Sequence, residues 1–348
     1  MYFTHPQFKN FSFKSLLGDF SEINLRNKLA KIFPNYYILF TDSGRSAFQV
    51  AVKKLNLQNS EMLIPAYICD IFKPILAHFN IKPIYLDIDL KTFHADLSNI
   101  ESRITANTKS ILICHTYGLP VELDKILEIA KKYNLKIIED CAHFFPEKID
   151  SDCAFLSFAK LMPVIDGGML ICKNPVEIIL PKYKSKISNL IKFFRLFPIF
   201  ANLSEKFRSS ESILPSNKFS LPRKASKNSL RILDWYLGAC KEQVSRRKEL
   251  AKYFQEKLIE IGFDVQEPEN NVFTYLSALV PQNINRDELF NKLRKKGIFC
   301  SRIWQNPLFP DLPNTQEAAK RIINFPLQNW FTEKDINKII SCILSSIG

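Results

Sequence analysis

From about residue 35 to residue 172, short unbroken apolar runs alternate with stretches whose apolar residues recur at helical spacing. Phe48, Ala51, Val52 and Leu55 follow the i, i+3, i+4, i+7 pattern, so a helix is expected after Gly44. Met62-Leu63-Ile64 reads as a strand stopped by Pro65, and Ile71, Ile75, Leu76 and Phe79 mark the next helix. Pro83 to Asp87 and Ser110 to His115 read as strands, and Glu122 to Tyr133 as a helix with Ile126, Leu127, Ile129, Ala130 and Tyr133 on its apolar side. Lys136 to Asp140, Phe155 to Phe158 and Met169 to Cys172 complete the series of strands. Repeated strand-then-helix units with continuously apolar strands predict a mostly parallel sheet covered on both faces. The expected class is α/β: a large domain of this kind over residues 1–229 and a smaller C-terminal α/β domain over 230–348.

The rhythm breaks between Asn174 and Ser229, where Lys, Ser, Phe and Pro accumulate. Ile187, Leu190, Ile191 and Phe194 keep helical spacing beside Lys192 and Arg195 until Pro198. Such a basic helix can lie on an acidic membrane surface or pack as a crossover on protein, and packing is the favoured reading. Leu230 to Ile261 predicts a long helix interrupted near Gly238, with Arg246, Arg247, Lys248 and Lys252 on its exposed side. A strand over Val272 to Val280, a helix over Arg286 to Lys296 and a last helix from Glu333 follow.

Composition adds three constraints. The 348 residues are 46% hydrophobic, enough for a sizeable core. The net charge is +13, but eleven Lys and Arg against three Glu place +8 of it between Pro175 and Asn228. A charge concentrated in this way argues against a nucleic-acid protein with a broad footprint and suits a phosphorylated small molecule. The eight cysteines form no C-x-x-C pair and no cluster with zinc spacing, so buried free thiols and no metal are expected. With neither a leader-like N-terminus nor an apolar run long enough to span a bilayer, the expected location is the cytoplasm.

The candidate chemistry begins with Asp140, at the carboxyl end of an apolar strand, where ligand crevices open in such sheets. It can pair with a buried cation, or simply cap a helix. Lys160 follows the next strand in a largely apolar segment, Ser157-Phe158-Ala159-Lys160-Leu161-Met162-Pro163. Desolvation would ease loss of its proton and make it a carbonyl nucleophile, whereas most lysines merely reach for solvent. Ser157 can reach a phosphate of the same ligand or end the strand. Gly167-Gly168 lets the chain turn back sharply. Asp42-Ser43-Gly44-Arg45-Ser46 opens the first strong helix, whose free amides suit a phosphate, as those of any capped helix would.

Taken together in this order, the residues resemble the DegT/StrS family of pyridoxal-phosphate-dependent sugar aminotransferases. The resemblance rests on Ser43-Gly44-x-x-Ala47, Pro65-Ala66-Tyr67, His115-x-Tyr117-Gly118, Ile138-Glu139-Asp140-Cys141-Ala142-His143, and Ser157-x-x-Lys160 ahead of Asp166-Gly167-Gly168. It is close over about residues 35–175 and thin beyond, through Leu230-Arg231, Arg246-Arg247, Gly297-Ile298 and Phe325-Pro326-Leu327. It implies a pyridoxal-phosphate transferase fold with pyridoxal 5'-phosphate bound by Gly44, Arg45, Ser46, Asp140, His143, Ser157 and Lys160. Lys160 and Asp140 are the implied catalytic pair, the lysine as the Schiff-base residue and the aspartate as partner of the pyridinium nitrogen. His143 would contact the ring oxygen, and the amides of Arg45 and Ser46 with the Ser157 hydroxyl would hold the phosphate. The implied partners are a nucleotide-linked keto-sugar, an amino-acid donor such as glutamate, and a second copy in a homodimer, serving polysaccharide or glycoconjugate assembly.

The sequence departs from that pattern in places. Arg45 stands where a small hydroxyl residue is usual, Cys69 where many relatives carry a stacking aromatic that Tyr67 would have to replace, and Asn228 is the nearest residue to an asparagine expected from the partner subunit. Two other readings use the same scaffold: a sugar dehydratase, whose members replace the lysine with histidine, and a cofactor-binding or membrane-associated protein without catalysis.

Overall fold

The computed structural model describes residues 2–4, 19–184 and 219–347. The basic helix expected around Ile187 to Phe194 lies outside the described residues.

Strand β1 (Tyr2–Phe3) precedes helix α1 (Glu22–Ile32), whose buried Leu25 and Leu29 lie one turn apart. The alternating region then forms a seven-stranded sheet: β2 (Tyr37–Thr41), β3 (Glu61–Pro65), β4 (Lys82–Leu86), β5 (Thr108–Cys114), β6 (Lys136–Asp140), β7 (Cys153–Ser157) and β8 (Gly168–Cys172). Its spatial order is β2-β8-β7-β6-β5-β3-β4. The β4-β3-β5-β6-β7 stretch is parallel, and β8 runs antiparallel to both β7 and β2. Helices α2 (Gly44–Lys54), α3 (Phe72–His78) and α4 (Asp124–Tyr133) connect the strands, and α5 (Phe158–Leu161) is a single turn after β7. This is the mostly parallel α/β sheet expected from the pattern.

The two faces of the sheet carry different cores. Ile138, Phe155 and Cys153 pack with Ala47, Phe48 and Ala51 of α2 on one face. Ile137, Ile111 and Ile113 pack with Ile126 and Ile129 of α4 on the other. Because side chains alternate along a strand, Asp140 and Ser157 leave the sheet on the α2 face.

One helix, α6 (Lys227–Glu260), runs for 34 residues. Its first turns bury Leu230, Ile232, Leu233 and Tyr236 against Leu156 and Met169 of the large sheet. Its last turns bury Leu250, Ala251, Phe254 and Leu258 in a second core. The interruption expected near Gly238 is absent: a glycine inside a helix costs about 1 kcal/mol relative to alanine, which packing at both ends outweighs. Arg247, expected on the exposed side, is buried. The C-terminal part adds β9 (Asp264–Val265), β10 (Leu276–Leu279), α7 (Arg286–Lys295), β11 (Ile298–Phe299), α8 (Pro313–Arg321), β12 (Ile322–Phe325) and α9 (Glu333–Ile347). β10 is shorter than the expected strand, because Phe273 at φ 50° turns the chain before it. β1 pairs with β11, tying the N-terminus to this second core.

Cys153 and Cys172, register partners on β7 and β8 with Cα atoms 4.3 Å apart, form a disulfide. This corrects the expectation that all the cysteines are free thiols: antiparallel pairing sets these two directly opposite each other. Among the described residues, no helix is long and apolar enough to cross a membrane.

Candidate active site

The carboxyl ends of β6 and β7 and the start of α2 meet at one place. Ser43 caps α2, its hydroxyl accepting the Ser46 amide at 3.3 Å. Ser46 donates its own hydroxyl hydrogen to Asp42 Oδ1. A Cβ on Gly44 would stand 3.1 Å from the Ser157 Cβ, so the absence of a side chain lets the helix start sit against the end of β7. Gly168 is tighter still, since a Cβ there would lie 2.4 Å from the Ser43 carbonyl carbon. Gly167 takes φ 106°, the sharp turn expected of the pair. Asp166 then accepts the Ser226 amide at 3.1 Å and its hydroxyl at 2.9 Å, anchoring the start of α6.

Asp140 is buried, and the hydrogen bond given to its carboxylate comes from the Ala142 amide at 2.9 Å. Burial pushes its pKa up to about 7, against the Ala142 bond and the positive charge of Lys160. Among the described residues this acid forms no ion pair. His143, three residues on, accepts the Tyr117 amide on Nδ1 at 3.3 Å, which leaves the proton on Nε2. Burial, and then the charge of Lys160, hold this imidazole well below its ordinary pKa, so it is neutral. Trp304 lies over it at 5.3 Å and Tyr275 meets it edge-on at 5.0 Å.

Lys160 sits on α5, three residues after Ser157. Its side chain is accessible to water and at the same time ringed by protein groups, because it opens into a cavity of about 400 Å³. Tyr275 holds its ammonium above the ordinary range, ahead of the opposing effect of burial, with Cys69 and Asp140 adding to the rise. The expectation that desolvation lowers this pKa is therefore overturned: groups distant in sequence supply more stabilisation than burial removes. Lys160 and Asp140 feel each other's charge, so the structure brings the predicted pair together. Gly44, at the start of α2 beside Arg45 and Ser46, packs against Ser157, and His143 feels the charge of Lys160, but of the predicted residues only Lys160 lines the cavity itself.

Sequence reasoning did not find Tyr275, which interacts with Lys160 from just before β10, nor Trp304, which enters at φ 63°. Neither has a local motif that marks it. Tyr67 is not free to act as a stacking ring, being fully buried with its hydroxyl 2.8 Å from that of Tyr117. Asn228 is exposed on the first turn of α6. The cavity beyond Lys160 is walled by Trp235, Glu242, Arg247, Asn329 and Trp330 among others.

A second constellation needs separating from the site. Donor atoms of His115, Glu139 and Cys141 lie within 4.8 Å of one another. His115 donates from Nε2 to Glu139 at 2.9 Å and accepts the Val121 amide on Nδ1 at 3.0 Å, while Glu139 accepts the Ser151 amide at 3.3 Å. Both imidazole nitrogens are thus engaged within the protein.

A cofactor carrying a phosphate, an aldehyde and a basic ring nitrogen fits these residues. The start of α2 and Ser157 form a close cradle for an anion. Among the described residues Asp140 forms no ion pair, His143 offers a hydrogen on Nε2, and Lys160 offers an amine.

Residues 18–344 match the model of the DegT/DnrJ/EryC1/StrS aminotransferase family. The chain is 27% identical to the dTDP-4-amino-4,6-dideoxy-D-glucose transaminase of Shigella dysenteriae, over 92% of its own length and 88% of that protein's. A GDP-perosamine synthase of Escherichia coli O157:H7 is 31% identical over 42% of this chain and 43% of that protein. Among solved structures, a GDP-4-keto-6-deoxymannose-3-dehydratase with a trapped PLP-glutamate geminal diamine superposes with TM-score 0.75 at 17% identity, covering 99% of this chain and 100% of the other.

Proposed function

Starting from the fact that the chain belongs to the DegT/DnrJ/EryC1/StrS aminotransferase family, and so is a pyridoxal-phosphate-dependent aminotransferase, we propose that it transfers an amino group from glutamate to a nucleotide-linked keto-sugar. The observation that carries this reading is Lys160, an amine within the electrostatic reach of the buried Asp140 and open to a cavity. Both curated relatives carry nucleotide-sugar names, which supports the acceptor class. Lysine at this position favours amino transfer over dehydration, in which histidine is expected.

Pyridoxal phosphate, when bound, supplies an electron sink that stabilises negative charge developing on the substrate carbon. In our reading the protein does the rest. The amides of Arg45 and Ser46 and the Ser157 hydroxyl would hold the phosphate. Asp140 would pair with the ring nitrogen and keep it protonated. His143 would donate from Nε2 to the ring oxygen. Lys160 would give up a proton to become a nucleophile, and its Nζ would hold and move protons at the substrate. Because Lys160 is protonated at neutral pH in the free protein, that first proton has to leave before it can react.

The division into units 1–229 and 230–348, action in the cytoplasm, a homodimer and a role in polysaccharide or glycoconjugate assembly belong to the same proposal. The test is to incubate the holoenzyme with glutamate and a panel of nucleotide-linked keto-sugars and follow products by mass spectrometry. A gain of nitrogen on one sugar, with 2-oxoglutarate formed, is the expected result. No product from any sugar, or loss of water from the sugar without nitrogen gain, counts against it. Gel filtration is expected to show a dimer.

A further inference from the structure

The hydrogen that the reading above needs on His143 Nε2 depends on a single peptide group. Thr116 supplies its carbonyl and Tyr117 its N–H, and that N–H bonds His143 Nδ1 at 3.3 Å. The carbonyl end of the same group is gripped from the C-terminal part of the chain. Gln266, just beyond β9 and 1% exposed, donates from Nε2 to the Thr116 oxygen and to the Thr92 oxygen, each at 2.9 Å. A side-chain amide nitrogen has two hydrogens, so both are engaged. Gln266 Oε1 accepts from Asn271 Nδ2 at 3.1 Å, and Asn271 Oδ1 accepts the Phe273 amide at 2.7 Å. This network sets the sense of the Gln266 amide, because the reversed one would press its oxygen against two carbonyls. The Thr116 oxygen also accepts the Leu119 amide at 3.1 Å, which closes the local turn. That turn runs through Tyr117 at φ 60°, a left-handed conformation that costs a non-glycine residue free energy. Gln266 takes the oxygen's second lone pair and ties the turn to the rest of the protein.

We propose that Gln266 is a positioning residue: by holding the Thr116 carbonyl it orients the peptide whose N–H occupies His143 Nδ1, and so keeps the imidazole hydrogen on Nε2, aimed at the cofactor's ring oxygen. The part that concerns the cofactor rests on the amino-transfer reading; the effect on the imidazole does not. Two physical arguments carry it. A hydrogen bond accepted at a peptide oxygen polarises the group and strengthens the donor at its nitrogen. The two forms of a neutral imidazole differ only in which nitrogen bears the hydrogen, so a donor held against Nδ1 excludes a hydrogen there. Gln266 thus acts on the site through one peptide and one ring, from a part of the chain whose sequence carries no active-site motif.

The test reads the imidazole directly. Full-length protein stripped of cofactor and carrying isotope-labelled histidine is followed by nitrogen NMR, with the His143 signals assigned from their loss in His143→Gln. Wild-type protein is expected to show one neutral form, with the hydrogen on Nε2. Gln266→Met, close to glutamine in length but without donors, is expected to give a mixture of both neutral forms. In the holoenzyme the same variant is expected to raise the pH midpoint of the absorbance of lysine-bound cofactor by about one unit, because a ring oxygen with a weakened donor holds the proton beside it more tightly. Gln255→Met is the control: Gln255 Nε2 bonds the Gln266 main-chain oxygen at 2.8 Å rather than Thr116, so its loss is expected to lower stability and leave the His143 form unchanged. Should Gln266→Met fail to fold, Gln266→Asn, whose amide is one carbon shorter, decides in its place. The proposal falls if wild-type His143 bears its hydrogen on Nδ1, if the Gln266 variant keeps it wholly on Nε2, or if Gln255→Met shifts it as far as the Gln266 variant does. A mixture of forms in the Gln266 variant, in a protein that moves no nitrogen to any sugar, would keep the positioning role and discard the amino-transfer reading.

Discussion

Glu139 and Asp140 are consecutive on β6, both acidic and both buried, and the sheet sends them to opposite faces. On one face Glu139 accepts from His115 at 2.9 Å and from the Ser151 amide at 3.3 Å. On the other Asp140 is given the Ala142 amide at 2.9 Å, and burial raises its pKa to about 7. An acid with partners inside the protein holds the fold together. An acid that forms no ion pair among the described residues, within the field of an amine, is kept for something that binds.

The sharpest way to break this comparison is to remove the amine that Asp140 faces. Lys160→Ala is expected to lower amino transfer by at least about 10²–10⁴-fold, the scale of a lost proton-transfer group, and to abolish the absorbance of lysine-bound cofactor. Full turnover in this variant would end the proposed mechanism. Next comes the pair itself: Asp140→Asn is expected to lose activity by about 10²–10⁴-fold while keeping its fold. Glu139→Gln should keep turnover and lose about 1–3 kcal/mol of stability from a disturbed buried bond, measured by denaturant unfolding. Equal activity losses in both variants would erase the distinction.

The pH dependence of stability sharpens the same point. The folded-state pKa of Asp140 lies above its ordinary 3.8, so the folded form favours the protonated acid. That contribution is fully present below about pH 4 and is lost as pH rises toward 7. Protein stripped of cofactor should therefore lose about 2–3 kcal/mol between pH 5 and pH 7 through this group. Asp140→Asn should flatten the melting curve across that range, and Glu139→Gln should not. The smallest effect concerns the packing that closes the Asp140 face. Gly168→Ala places a methyl 2.4 Å from the Ser43 carbonyl carbon, and overpacking of this kind costs about 1–3 kcal/mol, with weaker cofactor retention as the second readout.

Most of the large sheet was legible because its strands carry short unbroken apolar runs and its helices keep strict spacing, as in Ile126, Ile129 and Ala130. Helix α8 and strand β12 carried too short a signal to be singled out, and the segment before Asn35 was not assigned. In the site, the contiguous motifs around Asp140, His143, Ser157 and Lys160 were legible, because one strand end and one helical turn place them locally. What surrounds Lys160 was not, since Tyr275 and Cys69 reach it from more than 90 residues away on either side. Arg247 was misread for the same reason: its spacing alone puts it in a charged run, and only the return of the chain at Asn329 covers it.

Helix α6 carries a consequence of its own. Its two ends are keyed into separate cores, at Tyr236 and at Leu250, and the turns between them furnish Trp235, Glu242 and Arg247 to the cavity wall. Each residue added or removed between those keys would swing everything beyond it by about 100° around the axis. The length of that stretch therefore acts as a phase setting: descendants of this chain can change its side chains one at a time, but an insertion that does not add up to nearly whole turns would aim Arg247 away from the cavity while leaving every motif around Lys160 intact.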